Sequence, residues 1–232
     1  MTWYYKFIPE AINIITSKSI VTLGLTKQIY KKKFACFNLY SKPYAMTYGQ
    51  WTAKWWQWVF SLPAGVNPII DKTGKYADAN QPSDNVWFLA GKFAAEDREF
   101  PNRKCRVSSH RAILFPVINC EANQLEYPNL KTERDLINFV SNDEDSIVHK
   151  ECFINGEAVP VTRVRSDPLV FPLTIVKDNF AGIKSTGYTM AAADGYWVFL
   201  KPLPKGQYAI RFAGACEAGR LNSGANYDLE VE

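Results

Sequence analysis

The chain has 232 residues, of which 47% are hydrophobic and 14% aromatic, and this length is ordinary for one β-rich domain with a single core. Its net charge of +4 at pH 7 is too small to indicate binding to nucleic acid, and its apolar runs are shorter than the ~18 residues of a membrane-spanning helix. Five cysteines and two histidines lack the spacing of a zinc site, and whether the cysteines form disulfides or remain thiols is open.

Residues 1–46 are predicted to form an N-terminal extension, followed by a single domain at residues 47–232. Residues 1–70 contain eight lysines and one acidic residue, Glu10, so they carry a net charge of +7 and the remainder carries −3. A lysine-rich, acid-poor segment is typical of a targeting or docking arm that contacts a membrane surface, and a solvated arm is the alternative. A weak helix over residues 9–26 is predicted within this extension.

A tryptophan-rich helix is predicted directly after the extension. Thr47 and Gln50 have the spacing of a capping box, in which the hydroxyl accepts from the N–H three residues on and the amide side chain reaches back. Pro63 lacks the N–H that a longer helix needs. The helix is therefore predicted to begin at Tyr48 and to end near Ser61.

This helix carries four of the seven tryptophans of the chain. At about 100° per residue, Trp51, Trp55 and Trp58 share one face while Trp56 lies on the opposite side. Aromatic rings at helical spacing are typical of a core, and Trp56 is the ring for which we expect exposure. Any ring left uncovered is a candidate surface for stacking a sugar or binding a protein.

A segment rich in turns and in side-chain oxygens follows the helix. Asp71, Asp78 and Asp84 carry the carboxylates that calcium prefers, so they form a candidate calcium site. Their spacing does not match the EF-hand loop. Asx turns, in which the side chain accepts from the backbone two residues on, explain the same residues. No other cofactor is predicted.

Most of the remaining chain is predicted to form short strands. They lie at residues 86–90, 112–118, 148–154, 158–165, 169–176, 188–193, 196–201, 207–213 and 227–231. Asn155 and Gly156 predict a type I′ hairpin, because both central positions need positive φ. Asp194 and Gly195 predict a second turn, within a meander of the last strands. Pro116 predicts a bulge or an edge in its strand.

Between the strands, residues 92–109 are predicted as a charged loop and residues 132–140 as a short surface helix that ends in a solvated acidic turn. Short strands at hairpin spacing with little helix are typical of an antiparallel β-sandwich, here with a jelly-roll-like topology. The predicted fold is thus mainly β, with one tryptophan-rich helix and a short second helix.

Several blocks of the chain occur together: YGxWxxKWWQW from residue 48, NPxxDxxG from residue 67, VWFLAG from residue 86 and AxxFPxxN from residue 112. Their combination resembles a family of mostly secreted microbial proteins without an established activity. The resemblance implies an extracellular or cell-envelope protein. Family members tend to carry a cysteine near Tyr76, and if that cysteine pairs with the equivalent of Cys105, this chain lacks the bridge.

No catalytic signature is recognisable in the sequence. It contains no nucleophile elbow, phosphate-binding loop or metalloprotease motif, and His110 beside Ser108 and Ser109 is adjacent in sequence only. The favoured interpretation is therefore a non-catalytic module that binds a glycan or a protein. The ligand-binding candidates are Trp51, Trp55, Trp56, Trp58, Asn119 and Glu121.

Two alternatives belong to other classes of protein. A carbohydrate-active hydrolase would use two carboxylates about 5–10 Å apart across a cleft, with Glu121, Asp84 and Asp71 as candidates. A structural subunit of a larger assembly would dock through the basic arm at residues 1–46.

Overall fold

The computed structural model describes residues 34–92, 99–216 and 222–232. The α-helices are α1 (Tyr48–Phe60) and α2 (Glu133–Asp145), and short 3-10 helices lie at Pro43–Ala45 and Ala64–Val66. The strands are β1 (Val86–Phe88), β2 (Asn102–Val107), β3 (Ala112–Asn123), β4 (Ile147–Ile154), β5 (Glu157–Ala158), β6 (Thr162–Arg163), β7 (Val170–Ile175), β8 (Gly187–Leu200), β9 (Gly206–Cys216) and β10 (Asn222–Val231). The prediction of a mainly β fold is confirmed.

Helix α1 begins with the predicted capping box. The backbone N–H of Gln50 donates to the Thr47 hydroxyl at 3.1 Å, and the Thr47 N–H donates to the Gln50 side-chain oxygen at 2.8 Å. Ser61 caps the other end, two residues before Pro63. The helix signal is local in sequence, and both predicted ends are confirmed.

The strands form two mixed sheets of five. Sheet 1 has the order β1-β3-β8-β6 with β7 also paired to β8, and sheet 2 has the order β2-β10-β9-β4-β5. The prediction of a purely antiparallel fold is wrong, because β1 pairs parallel with β3 and β10 pairs parallel with β2. The chain leaves sheet 1 after β1, forms β2 in sheet 2, and returns to sheet 1 in the original direction as β3.

Sheet 1 is buried on both faces. Its strand residues Leu114 and Phe199 share a core cluster with α1, whereas Phe115 on the other face packs against sheet 2. The rings of Phe115 and Phe212 have centroids 4.8 Å apart across the two sheets. The layers are therefore helix α1, sheet 1 and sheet 2, and the jelly-roll-like topology stays a prediction.

Strand β8 corrects the predicted meander. It is one continuous strand through Asp194 and Gly195, where a turn was predicted, and it lies in sheet 1 whereas β9 lies in sheet 2. Asp194 is buried and accepts from Arg163 and Arg165, so the side chain that favours a turn is instead held by ion pairs. Gly195 is extended and pairs with Asn119 on β3.

Two further predictions are wrong. Strand β2 occupies part of the predicted loop at residues 92–109, and α2 extends through the predicted acidic turn to Asp145, with Glu144 buried. Two others are confirmed: the register of β3 shifts between Pro116 and Ile118, and the hairpin from β4 to β5 has positive φ at both Asn155 and Gly156.

Residues 34–46 pack against the sheets. Phe34 is buried in the core between them, and Cys36 bridges to Leu200 at the end of β8. The predicted helix at residues 9–26 and most of the basic arm lie outside the described residues. Within the described ranges, no helix combines the length and the apolar character needed to cross a membrane.

Candidate functional site

A cavity of about 180 Å³ lies between α1, the second half of β3 and the turn that follows β3. Four of the six predicted ligand-binding residues line it, namely Trp55, Trp56, Asn119 and Glu121. The other lining residues are Phe60, Ile69, Gly91, Lys92, Pro116, Ile118, Cys120, Glu126, Tyr127, Phe180, Ala181 and Ser223. This cavity is the candidate functional site.

Helix α1 supplies the aromatic wall. The Trp55 indole donates to the Leu89 carbonyl at 2.9 Å, and the Trp56 ring stands perpendicular to it with centroids 5.0 Å apart. The expectation that Trp56 is exposed is wrong, because only 6% of its surface is accessible. Its side of the helix is covered by Phe60 and Phe180, so its ring forms a buried wall of the cavity.

Trp51 and Trp58 do not reach the cavity. The Trp51 indole donates to the Pro43 carbonyl at 3.0 Å, and that of Trp58 donates to the Ala79 carbonyl at 2.8 Å. Both rings pack edge-on or tilted against Phe88 of sheet 1. These two rings are core residues with satisfied N–H groups.

Strand β3 supplies the polar floor. Asn119 and Glu121 are two residues apart, so their side chains point to the same face of sheet 1, the face that α1 covers. Their partners on β8 are Gly195 and Ala193. A Cβ at Gly195 would lie 2.5 Å from the Asn119 Cβ, so only glycine fits there. The space beside Gly195 is thus occupied by Asn119, whose position in the floor of the cavity depends on this glycine.

Three polar atoms of the lining are buried without a hydrogen-bond partner in the described part of the chain. They are the Trp56 indole nitrogen, the Asn119 amide nitrogen and the Glu121 oxygen Oε1. Buried polar atoms in native proteins almost always have partners, because an unmade hydrogen bond costs about 1–3 kcal/mol. A molecule entering this cavity would therefore meet two hydrogen-bond donors and one carboxyl oxygen that have no partner in the described residues.

Burial raises the pKa of Glu121 well above the usual range of a carboxyl, and the charge of Glu126 raises it further. The hydrogen bond that Asn123 donates to Oε2, at 3.4 Å, opposes this shift. Burial also raises the pKa of Glu126 and that of Tyr127 beside it. Burial and the charge of Glu126 thus both favour the neutral form of the Glu121 carboxyl, next to a second carboxyl in the same cavity.

The predicted calcium site at Asp71, Asp78 and Asp84 is not formed. The Asp71 carboxylate accepts from the N–H groups of Thr73 and Tyr76, both at 2.8 Å, as an Asx turn requires. Asp84 faces solvent and pairs with an arginine. Within the described ranges, no group of three or more His, Cys, Asp or Glu residues is placed to hold a metal ion.

Two other predicted features lie away from the cavity. His110 is exposed in the turn between β2 and β3. Cys105 is a free thiol whose pKa burial raises to about 12, and it packs against the same core cluster as Ala77. The resemblance places a cysteine near Tyr76 in related proteins. Ala77, in that segment, thus packs in the same core cluster as Cys105.

Sequence reasoning missed several residues of the site. Glu126 and Tyr127 lie in the turn after β3, and Lys92 follows β1. The proximity of Glu126 to Glu121, five residues earlier, was the available signal, but only the turn brings both to one cavity.

No protein-family model, curated protein or solved structure matches the chain.

Proposed function

We propose that this protein is a binding module that holds one ring-sized, neutral polar molecule, such as a terminal sugar unit of a glycan, in the cavity beside α1. The observation that carries the proposal is the presence of three buried, unpartnered polar atoms on Trp56, Asn119 and Glu121 around one cavity. A ligand with hydroxyl or carbonyl groups supplies the missing partners.

The size and the lining of the cavity support this ligand class. A cavity of about 150 Å³ is enough for benzene, so a cavity of about 180 Å³ takes no more than one six-membered ring. The rings of Trp55, Trp56 and Tyr127 offer apolar faces to the carbons of such a ligand, and a few polar groups set its orientation.

We also propose a specific sheet arrangement, a cellular location and a role for the N-terminal segment. The core cluster that residues of both sheets share supports a β-sandwich, in a jelly-roll-like arrangement. The extracellular or cell-envelope location is supported by the resemblance described above. Residues 1–46 would then act as a docking or membrane-contacting arm, as they would in a structural subunit.

Ligand titration of paired tryptophan variants tests the binding proposal. The probes are glucose, galactose, N-acetylglucosamine and N-acetylgalactosamine, and binding is followed by tryptophan fluorescence. Trp56→Phe keeps a ring but removes the unpartnered N–H, so at least one probe should bind about tenfold more weakly, the value of one neutral hydrogen bond. Trp58→Phe is the matched control, because that indole donates to a backbone carbonyl outside the cavity.

Binding of no probe, or equal binding to the wild type and the Trp56→Phe variant, would overturn the proposal. Trp56→Phe should also fold normally, because removing an unsatisfied buried donor is close to neutral for stability. If Trp56→Phe failed to fold, the Trp56 N–H would be making a hydrogen bond that stabilises the protein. That result would also contradict the proposal.

A second candidate function is hydrolysis of a glycosidic bond. It is favoured by one observation, that Glu121 and Glu126 line the same cavity and the charge of Glu126 raises the pKa of Glu121. The neutral Glu121 carboxyl would protonate the leaving oxygen while Glu126 takes a proton from the attacking water. Turnover of p-nitrophenyl glycosides that both Glu121→Gln and Glu126→Gln abolish would establish this activity, and binding without turnover would reject it.

A further inference from the structure

The unpartnered atoms of the cavity also define the chemical group that they receive. The Trp56 indole nitrogen is a hydrogen-bond donor at every pH, and the Asn119 amide nitrogen is a second donor. The third atom, Glu121 Oε1, accepts when the carboxyl is ionised and donates when the carboxyl carries a proton there. The protonation state of Glu121 therefore decides whether the cavity presents two donors or three.

The geometry around Glu121 favours the protonated form. Only 7% of its surface is accessible, and no cationic side chain pairs with it in the described part of the chain. The one hydrogen bond to its carboxyl comes from Asn123 and is received by Oε2. Oε2 is thus the accepting oxygen, which leaves Oε1, the atom without a partner in the described part of the chain, to carry the proton when the carboxyl is neutral.

The charged and titratable groups around the cavity come from three elements. Glu126 and Tyr127 lie in the turn after β3, Cys120 lies on β3, and Lys92 follows β1. The Lys92 ammonium donates to the Glu99 carbonyl at 3.0 Å and lies over the Phe100 ring. Two causes disfavour an ionised Glu121 carboxyl: its own burial and the negative charge of Glu126. Both would also disfavour an anionic group on a ligand in the same cavity.

We infer that the cavity receives a ligand with uncharged oxygen acceptors, of which an acetamido sugar with its carbonyl and hydroxyl oxygens is the best fit, through donors on Trp56, Asn119 and Glu121. A carbonyl oxygen accepts hydrogen bonds and bears no net charge, and the methyl group of an acetamido substituent suits the aromatic wall of Trp55 and Phe60. This inference rests on the proposed binding function and names the ligand class: acetamido sugars rather than simple hexoses or uronic acids.

Titration of three matched sugars tests the inference. N-acetylglucosamine, glucose and glucuronate share one ring and differ in the group that the donors would meet. N-acetylglucosamine should bind at least tenfold more tightly than the other two at pH 7. Tighter binding of glucose or of glucuronate overturns the acetamido inference and leaves the binding function standing, whereas binding of none of the three sugars or the galactose series overturns both.

Variants of Glu121 test the donor role separately. Glu121→Leu removes the donor and should weaken N-acetylglucosamine binding at least tenfold, whereas Glu121→Gln should rescue the affinity, because the amide N–H replaces the carboxyl O–H. Binding by the wild type should also fall as the pH rises through the raised pKa of Glu121, and binding by Glu121→Gln should not. Loss of binding by Glu121→Gln equal to that of Glu121→Leu would show an accepting carboxylate and refute the donor role.

Discussion

Two neighbouring buried polar regions of this protein differ in how their hydrogen bonds are completed. Arg103 on β2 donates to the Asp71 carbonyl at 2.6 Å, the Ile69 carbonyl at 2.9 Å, the Tyr227 hydroxyl at 3.0 Å and the Ala90 carbonyl. The cavity, which Ile69 also lines, leaves polar atoms of three side chains without partners among the described residues. A buried group bonded to the protein itself holds the fold, whereas the unbonded groups around the cavity are available to the ligand proposed above.

The largest expected effect is that of removing the arginine. Arg103→Met fills much of the same volume but leaves the Asp71 and Ile69 carbonyls without their donor and removes one donor each from the Ala90 carbonyl and the Tyr227 hydroxyl, with Arg103 only 2% exposed. We expect the free energy of unfolding to fall by about 3–5 kcal/mol, because each buried acceptor left without a donor costs about 1–3 kcal/mol. Urea denaturation of both proteins measures this change.

Arg106→Met is the matched control on the same strand. The Arg106 side chain is largely exposed and pairs with Glu230 at 2.8 Å, so its removal should change the stability by about 0–1 kcal/mol. Equal effects of the two substitutions would remove the distinction between the two regions.

An intermediate effect is expected at Gly195, beneath the cavity. In Gly195→Ala, the new Cβ would lie 2.5 Å from the Asn119 Cβ and 2.9 Å from the Trp197 indole nitrogen. We expect a loss of about 1–3 kcal/mol from overpacking, together with weaker binding of any cavity ligand, because Asn119 must move. Thermal unfolding and ligand titration measure the two effects. Gly65→Ala is the control, because its Cβ meets open space, and an unchanged Asn119 environment by NMR would contradict the prediction.

An effect that vanishes at low pH is expected at Glu144 on α2, whose two carboxyl oxygens are both buried without a partner in the described chain. Burial, with the charge of Asp194, raises the pKa of Glu144 from 4.5 to about 9. The folded state therefore holds a proton that the unfolded state releases above pH 4.5, so stability falls as the pH rises from about 4.5 to 9.

Glu144→Gln cannot ionise and should remove this pH dependence. We expect the variant to be close to the wild type in stability at pH 5 and more stable at pH 8 by up to about 4 kcal/mol, since these three pH units lie within the window and each corresponds to about 1.4 kcal/mol. Denaturation curves at both pH values measure the difference, with the exposed Glu133→Gln as the control. Parallel pH profiles for the wild type and Glu144→Gln would contradict a neutral buried carboxyl.

Sequence reasoning succeeded where the signal is local. The cap formed by Thr47 and Gln50, the hairpin at Asn155 and the bulge after Pro116 depend on residues within a few positions of one another, and all three are present. Four of the six predicted ligand-binding residues also meet at one cavity. The three local features could be predicted because each follows from backbone chemistry, whereas helical periodicity placed Trp55 and Trp56 on opposite faces and did not predict that both line one cavity.

Prediction from the sequence failed where the structural role of a residue depends on a partner that is distant in the chain. Strand β2 has its alternating inward positions at Arg103, Cys105 and Val107, and the inward arginine made the segment resemble a charged loop. Asp194 resembles a turn residue until Arg163 and Arg165 are placed beside it. The cavity depends on the same kind of distant contact, so its existence and the role of Glu126 could not be predicted.

The position of β10 within sheet 2 has a consequence for biosynthesis. β10 lies between β2 and β9, in register with β2 from Asn102 to Val107. While the ribosome is still adding residues before 222, β2 has no neighbour in its sheet and the side chain of Arg103 lacks the Tyr227 hydroxyl. Strand β2 can join sheet 2 only after this segment emerges, so a nascent chain that ends before residue 222 carries an unpaired strand, a feature that makes incompletely folded chains prone to aggregation.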